Sequence, residues 1–82
     1  MTHARTILVV EDSPEDRELY RRYLQHDPDH EYTLIETSTG QEGLTLWQQH
    51  QPDLVLLDYG LPDLDGLEFL TQLQALIAQP YL

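Results

Sequence analysis

The stretch Pro52–Gly66 reads PDLVLLDYGLPDLDG, and its first half decides the fold. Asp53-Leu54-Val55-Leu56-Leu57 is apolar at every position after the first and ends abruptly at Asp58. A short run without polar alternation reads as a strand buried on both faces, the pattern of a parallel sheet. The loop from Tyr59 to Gly66 then leads into a helix, with Asp65 as N-cap and Glu68 three residues on. Leu67, Leu70, Leu73 and Ile77 recur at helical spacing and are the expected inner face of that helix.

Working outward from Pro52, the same grammar repeats twice. Pro52 closes a helix that opens at Thr39-Gly40-Gln41-Glu42, which has capping-box spacing, and carries Leu44, Leu46 and Trp47. Before it, Tyr32-Thr33-Leu34-Ile35-Glu36 alternates more and suits a sheet edge. Asp27-Pro28-Asp29 ends an earlier helix, because Pro28 disfavours helical conformation in Asp27. That helix starts with Ser13 as N-cap and Pro14 at the first helical position, and its expected buried stripe is Leu19, Tyr20, Tyr23 and Leu24. Thr6-Ile7-Leu8-Val9-Val10 is a second fully apolar run, ending at Glu11-Asp12. The order is βαβαβα, which implies an α/β fold with a parallel sheet and helices on both faces.

The composition bounds the function. The chain has 82 residues, enough for one small domain, and such a domain buries only about 60% of the surface its unfolded chain exposes. Four arginines and no lysine face fifteen acids, for a net charge of −11. This argues against nucleic acid and against an anionic membrane as partners, and favours cations or basic surfaces. No cysteine is present, so disulfides and thiolate chemistry are excluded. No apolar run approaches the ~20 residues of a membrane span, nor does the N-terminal stretch suit a signal peptide, so a cytoplasmic protein is expected.

Glu11, Asp12 and Asp58 fall at the carboxyl ends of two apolar strands, where open parallel sheets bind their ligands. If these strands are neighbours, their tips lie roughly 4.8 Å apart. Carboxylates at that separation repel, so either a pKa rises or a cation sits among them. Mg²⁺ suits such a place, since it takes few protein ligands, keeps waters and has room for a phosphate oxygen. A carboxylate beside it can attack a phosphoryl group. The plainer alternative is that these acids are solvated loop residues at helix starts.

Two blocks, Ile7-Leu8-Val9-Val10-Glu11-Asp12-Ser13-Pro14 and Pro52 through Gly66, together resemble the receiver domain of bacterial two-component response regulators. The resemblance implies a flavodoxin-like sheet, with these strands in the order 2-1-3. It implies that Asp58 is the phosphoacceptor, taking a phosphoryl group from a sensor histidine kinase or a phosphotransfer protein. Asp12 and Asp58 would hold Mg²⁺ through carboxylates and Gly60 through its backbone carbonyl, with Glu11 acting through a metal-bound water. Gly60 would let that carbonyl turn inward without steric cost. Pro62 would stiffen the loop and Gly66 would allow a tight start to the third helix. Such a module is a phosphoacceptor, with at most self-catalysed phosphoryl transfer, and not an enzyme in the usual sense.

Receivers continue through two further strand–helix units. These carry a Ser or Thr that binds the phosphoryl group and a Lys that pairs with it, and this chain holds no Lys. Residues 79–82 fall where a fourth strand would begin. Residues 1–82 therefore read as one truncated receiver-like domain whose third strand is an exposed apolar edge, expected to self-associate. The alternative function is a non-catalytic receiver-fold module for interaction or dimerisation. Asp63, Asp65 and Gly66 hold only part of a calcium loop, so calcium is not expected there. His26 and His30 are separated by a helix break, and surface positions suit them better than a metal site.

Overall fold

The computed structural model describes residues 3–78. Its elements are β1 (His3–Val10), α1 (Pro14–Gln25), β2 (His30–Thr37), α2 (Gly40–His50), β3 (Leu54–Leu57) and α3 (Gly66–Ile77). The expected start of a fourth strand at 79–82 lies outside the described residues. The strands form one parallel sheet in the order β2-β1-β3. Val10 pairs with Thr37 on one side and with Leu57 on the other, so all three strands end at one level. That common rim sets where the following loops meet.

β1 and β2 start earlier than their apolar runs suggest, at His3 and His30. Backbone pairing continues through polar residues that leave no hydropathic signal. β3 starts one residue late, because Asp53 is used differently. Its N–H donates to the Thr6 carbonyl at 2.8 Å, and its Oδ2 accepts the Thr6 N–H at 2.8 Å.

Alternation across the pleat divides the strand residues between two faces. Leu8 and Val10 join Leu44, Leu61, Leu64 and Phe69 in one buried cluster, with Ile35, Val55, Leu57 and Trp47 packed against it. α2 and α3 therefore cover this face. Ile7 and Val9 point the other way and are also buried. On that side α1 lies toward β2, tied by Arg17 Nε and Arg21 Nε to the Glu36 carboxylate at 3.6 and 3.1 Å.

The helix starts follow the sequence. Ser13, Thr39 and Asp65 are N-caps whose side chains accept the backbone N–H of Asp16, Glu42 and Glu68. The helix faces depart from it. In α1 no residue is fully buried, and Leu19 and Tyr23 are 50% and 79% exposed. Of the expected stripe only Leu24 is half-buried, and the side chains that tie the helix to the sheet are Arg17 and Arg21. In α3 the inner residues are Phe69, Leu73 and Leu76, while Leu67, Leu70 and Ile77 are exposed. An apolar helix offers two faces at i, i+3/i+4 spacing, and the one carrying the largest side chain wins the core. Phe69 packs beneath Gly43, where an added Cβ would stand 3.1 Å from the ring and 2.9 Å from Val10 Cγ2.

Candidate functional site

The acids at the rim are placed by backbone pairing. Glu11 and Asp58 each follow the last residue of a strand, at adjacent register positions. The Asp58 N–H donates to the Val10 carbonyl at 2.9 Å, and the Glu11 N–H donates to the Thr37 carbonyl at 3.0 Å. Each bond extends a strand's ladder by one residue and fixes where the carboxylate starts. One carboxylate oxygen from each of Glu11, Asp12 and Asp58 lies within 4.8 Å of the others. The structure thus brings together the three acids singled out in the sequence.

Their environments differ. Glu11 is buried, Asp58 half-buried and Asp12 exposed. Burial pushes the Glu11 carboxyl above its ordinary value, and the charges of Asp58, Asp16 and Asp12 push it the same way. A hydrogen bond from the Ser13 N–H to Glu11 Oε1, at 3.2 Å, opposes the rise. Among the described residues, no ion pair involves any of the three acids. Arg17 comes closest in role, donating from Nη1 to the Glu11 carbonyl at 3.0 Å, but its charge is committed to Glu36. An all-oxygen set with unbalanced negative charge is the donor chemistry a hard divalent cation requires. The residues therefore fit a metal of that class.

Gly60 lies two residues beyond Asp58. Its N–H donates to Asp58 Oδ1 at 3.4 Å, and it forms an isolated antiparallel bridge with Asp65. Its backbone does not adopt a positive φ, and an added Cβ would meet nothing within 4 Å. The backbone therefore does not demand glycine at 60. Gly66 is demanded, because a Cβ there would stand 2.9 Å from Tyr59 Cδ2 and 3.3 Å from Tyr59 Cα.

Asp63 and Asp65 have structural tasks. Asp65 caps α3. Asp63 reaches across to α2, where its Oδ1 accepts the Gly40 N–H at 2.7 Å and its Oδ2 the Gln41 N–H at 2.9 Å. These two bonds hold its carboxyl below its ordinary value. Sequence reasoning missed this contact because the partners are more than twenty residues away and leave no local pattern. His26 and His30 do not converge: His26 bonds the Arg22 carbonyl, and His30 Nδ1 lies 3.0 Å from Asp27 Oδ2.

Comparison with known proteins places this geometry in a family. Residues 7–81 match the model of the response regulator receiver domain. A protein named as a probable C4-dicarboxylate response regulator, DctR of Priestia megaterium, is 40% identical over 73 residues, covering 88% of this chain and 31% of that one. The polar-differentiation response regulator DivK of Brucella ovis is 36% identical over 64 residues, covering 78% of this chain and 50% of that one. Among solved structures, the MaeR response regulator bound to beryllium trifluoride superposes with a TM-score of 0.78 at 32% identity, covering 94% of this chain and 60% of MaeR. The chain thus spans half or less of the length of these two sequence relatives. With its strand order, its acidic rim and the family match over nearly its whole length, this chain belongs to the response regulator receiver domain family.

Proposed function

We propose that the chain is a single receiver-like unit that accepts a phosphoryl group on Asp58 within a His-to-Asp relay. One observation carries this reading: three carboxylates within 4.8 Å at the carboxyl ends of adjacent parallel strands, one of them buried and none ion-paired among the described residues. A buried carboxylate raised by burial and crowded by two further acids at a sheet rim marks a working site. Asp12 and Asp58 would hold Mg²⁺ through their carboxylates, Gly60 through its carbonyl, and Glu11 through a bound water. When bound, the ion would offset the charge between the carboxylates and the incoming phosphoryl group and ligate one of its oxygens.

The chain's own residues then have separate tasks. An Asp58 carboxylate oxygen attacks the phosphorus of a phosphohistidine on a sensor kinase or phosphotransfer protein. The O–P bond forms and the N–P bond breaks. The departing imidazole keeps the electron pair and takes a proton, leaving an acyl phosphate on Asp58. Val10 and Thr37 hold the rim still through the carbonyls that receive the Asp58 and Glu11 N–H groups. The absence of any helix among the described residues long and apolar enough to cross a membrane is compatible with the cytoplasmic setting such a relay would need.

A solved relative is bound to beryllium trifluoride. Joined to a carboxylate oxygen, that group has the shape and charge of an acyl phosphate, which makes it a probe for this chain. Fluorine resonance of the chain with beryllium fluoride should show a bound signal that needs both Mg²⁺ and Asp58. A signal that persists in Asp58→Asn would place the acceptor elsewhere.

A further inference from the structure

The loop from Asp58 to Asp65 carries both the acceptor and Gly60, and it is held at several points. At its base the Gly66 N–H donates to the Tyr59 carbonyl at 3.0 Å, and Gly60 bridges Asp65. In its middle Leu61 and Leu64 are sunk into the core. Asp63 stands between these anchors on the solvent side, yet its carboxylate is fully engaged.

What Asp63 engages is specific. The first turn of a helix has N–H groups with no partner inside the helix. In α2 the Glu42 N–H is taken by the local N-cap, Thr39 Oγ1, at 3.3 Å. The Gly40 and Gln41 N–H groups are taken by Asp63, one on each carboxylate oxygen, at 2.7 and 2.9 Å. α2 thus has two caps, one local and one from the loop that follows β3. A carboxylate at this position also complements the positive end of the helix dipole.

The bond has a second end. Thr39 lies two residues after Thr37, whose carbonyl receives the Glu11 N–H. The Thr39 N–H reaches back to Thr37 Oγ1 at 3.5 Å. Asp63 therefore links the loop bearing Asp58 and Gly60 to the segment that holds Glu11. These groups come from different parts of the chain, and a metal site tolerates only small errors in their mutual placement.

Resting on the metal-site reading above, we infer that Asp63 is a positioning residue: its bidentate grip on the α2 N-terminus sets the β3–α3 loop, and with it Gly60, against Glu11 and Asp12. It touches neither metal nor phosphoryl group. Partners of this outer kind, when removed, typically cost 10–100-fold in metal affinity.

The test is calorimetric titration of Mg²⁺ into the folded chain, with a thermal melt of each sample. Asp63→Asn leaves one acceptor and turns an NH₂ group toward an N–H, so Mg²⁺ affinity is expected to fall at least about tenfold. Asp63→Glu keeps the charge on a longer arm and should show a smaller loss, which covers the case of an unfolded Asn variant. Thr39→Ala removes the other cap of α2, lowering the melting temperature while leaving Mg²⁺ affinity near wild type. A purely structural role for Asp63 would lower the melting temperature in the same way with affinity unchanged. That result overturns the inference and leaves the metal site standing. Failure of the wild-type chain to bind Mg²⁺ would overturn the site reading, and this inference with it.

Discussion

At Glu11, burial and three neighbouring acids act in the same direction, raising its carboxyl above the ordinary value of 4.5. The folded chain therefore holds this proton better than the unfolded one. The stabilisation linked to it is present below that ordinary value and is lost as pH rises through the raised one. Asp63 has the opposite sign. Its carboxyl is held below the ordinary 3.8, so its contribution is present above that value and is lost as pH falls through the lowered one. Asp63→Asn should consequently flatten the acid limb of a stability–pH curve below pH about 4; an unchanged limb would contradict the assignment. The crowding of the rim is testable in chelator. Two unit charges within 4.8 Å repel by about 1 kcal/mol in water. Asp58→Asn should therefore raise the metal-free melting temperature by a few degrees. A lowered melting temperature would mean that the three acids do not strain one another.

Among the elements, what was legible was local. Ser13, Thr39 and Asp65 could be named as caps because the N–H that each side chain receives lies three residues away. The ends of β1 and β3 could be named because their apolar runs stop at acids, whereas β2 continues through Glu36 to Thr37. The helix faces could not be read as reliably. α3 carries large apolar side chains at 67, 69, 70, 73, 76 and 77, and only the tertiary structure chooses Phe69, Leu73 and Leu76 for the core. Phe69→Ala should then cost about 3–5 kcal/mol, and Leu70→Ala no more than about 0.5 kcal/mol, in urea unfolding. Equal costs would restore the face expected from sequence. The glycines make a second pair. Gly43→Ala drives a methyl against Val10 and Phe69 and should cost about 1–3 kcal/mol. Gly60→Ala adds a methyl in open space and should be neutral or stabilising by up to about 1 kcal/mol.

At the scale of the molecule, the parallel sheet followed from the order of apolar runs, while the gathering of Glu11, Asp12 and Asp58 also needed the 2-1-3 strand order that the family resemblance implied. The grip of Asp63 on α2 could not be read, since a contact spanning 23 residues has no signature along the chain. β3 pairs only with β1 among the described residues, and Leu54 at its start is half exposed. Unpaired apolar edges recruit strands, so the isolated 82-residue chain should form dimers or larger species at micromolar concentration. Sedimentation as a strict monomer would contradict this. Acceptance of a phosphoryl group by Asp58 is read from the intact mass of the chain after incubation with acetyl phosphate and Mg²⁺. A gain of one phosphoryl group is expected, requiring Mg²⁺ and absent from Asp58→Asn. No gain in a folded sample, or an equal gain in the variant, would contradict it.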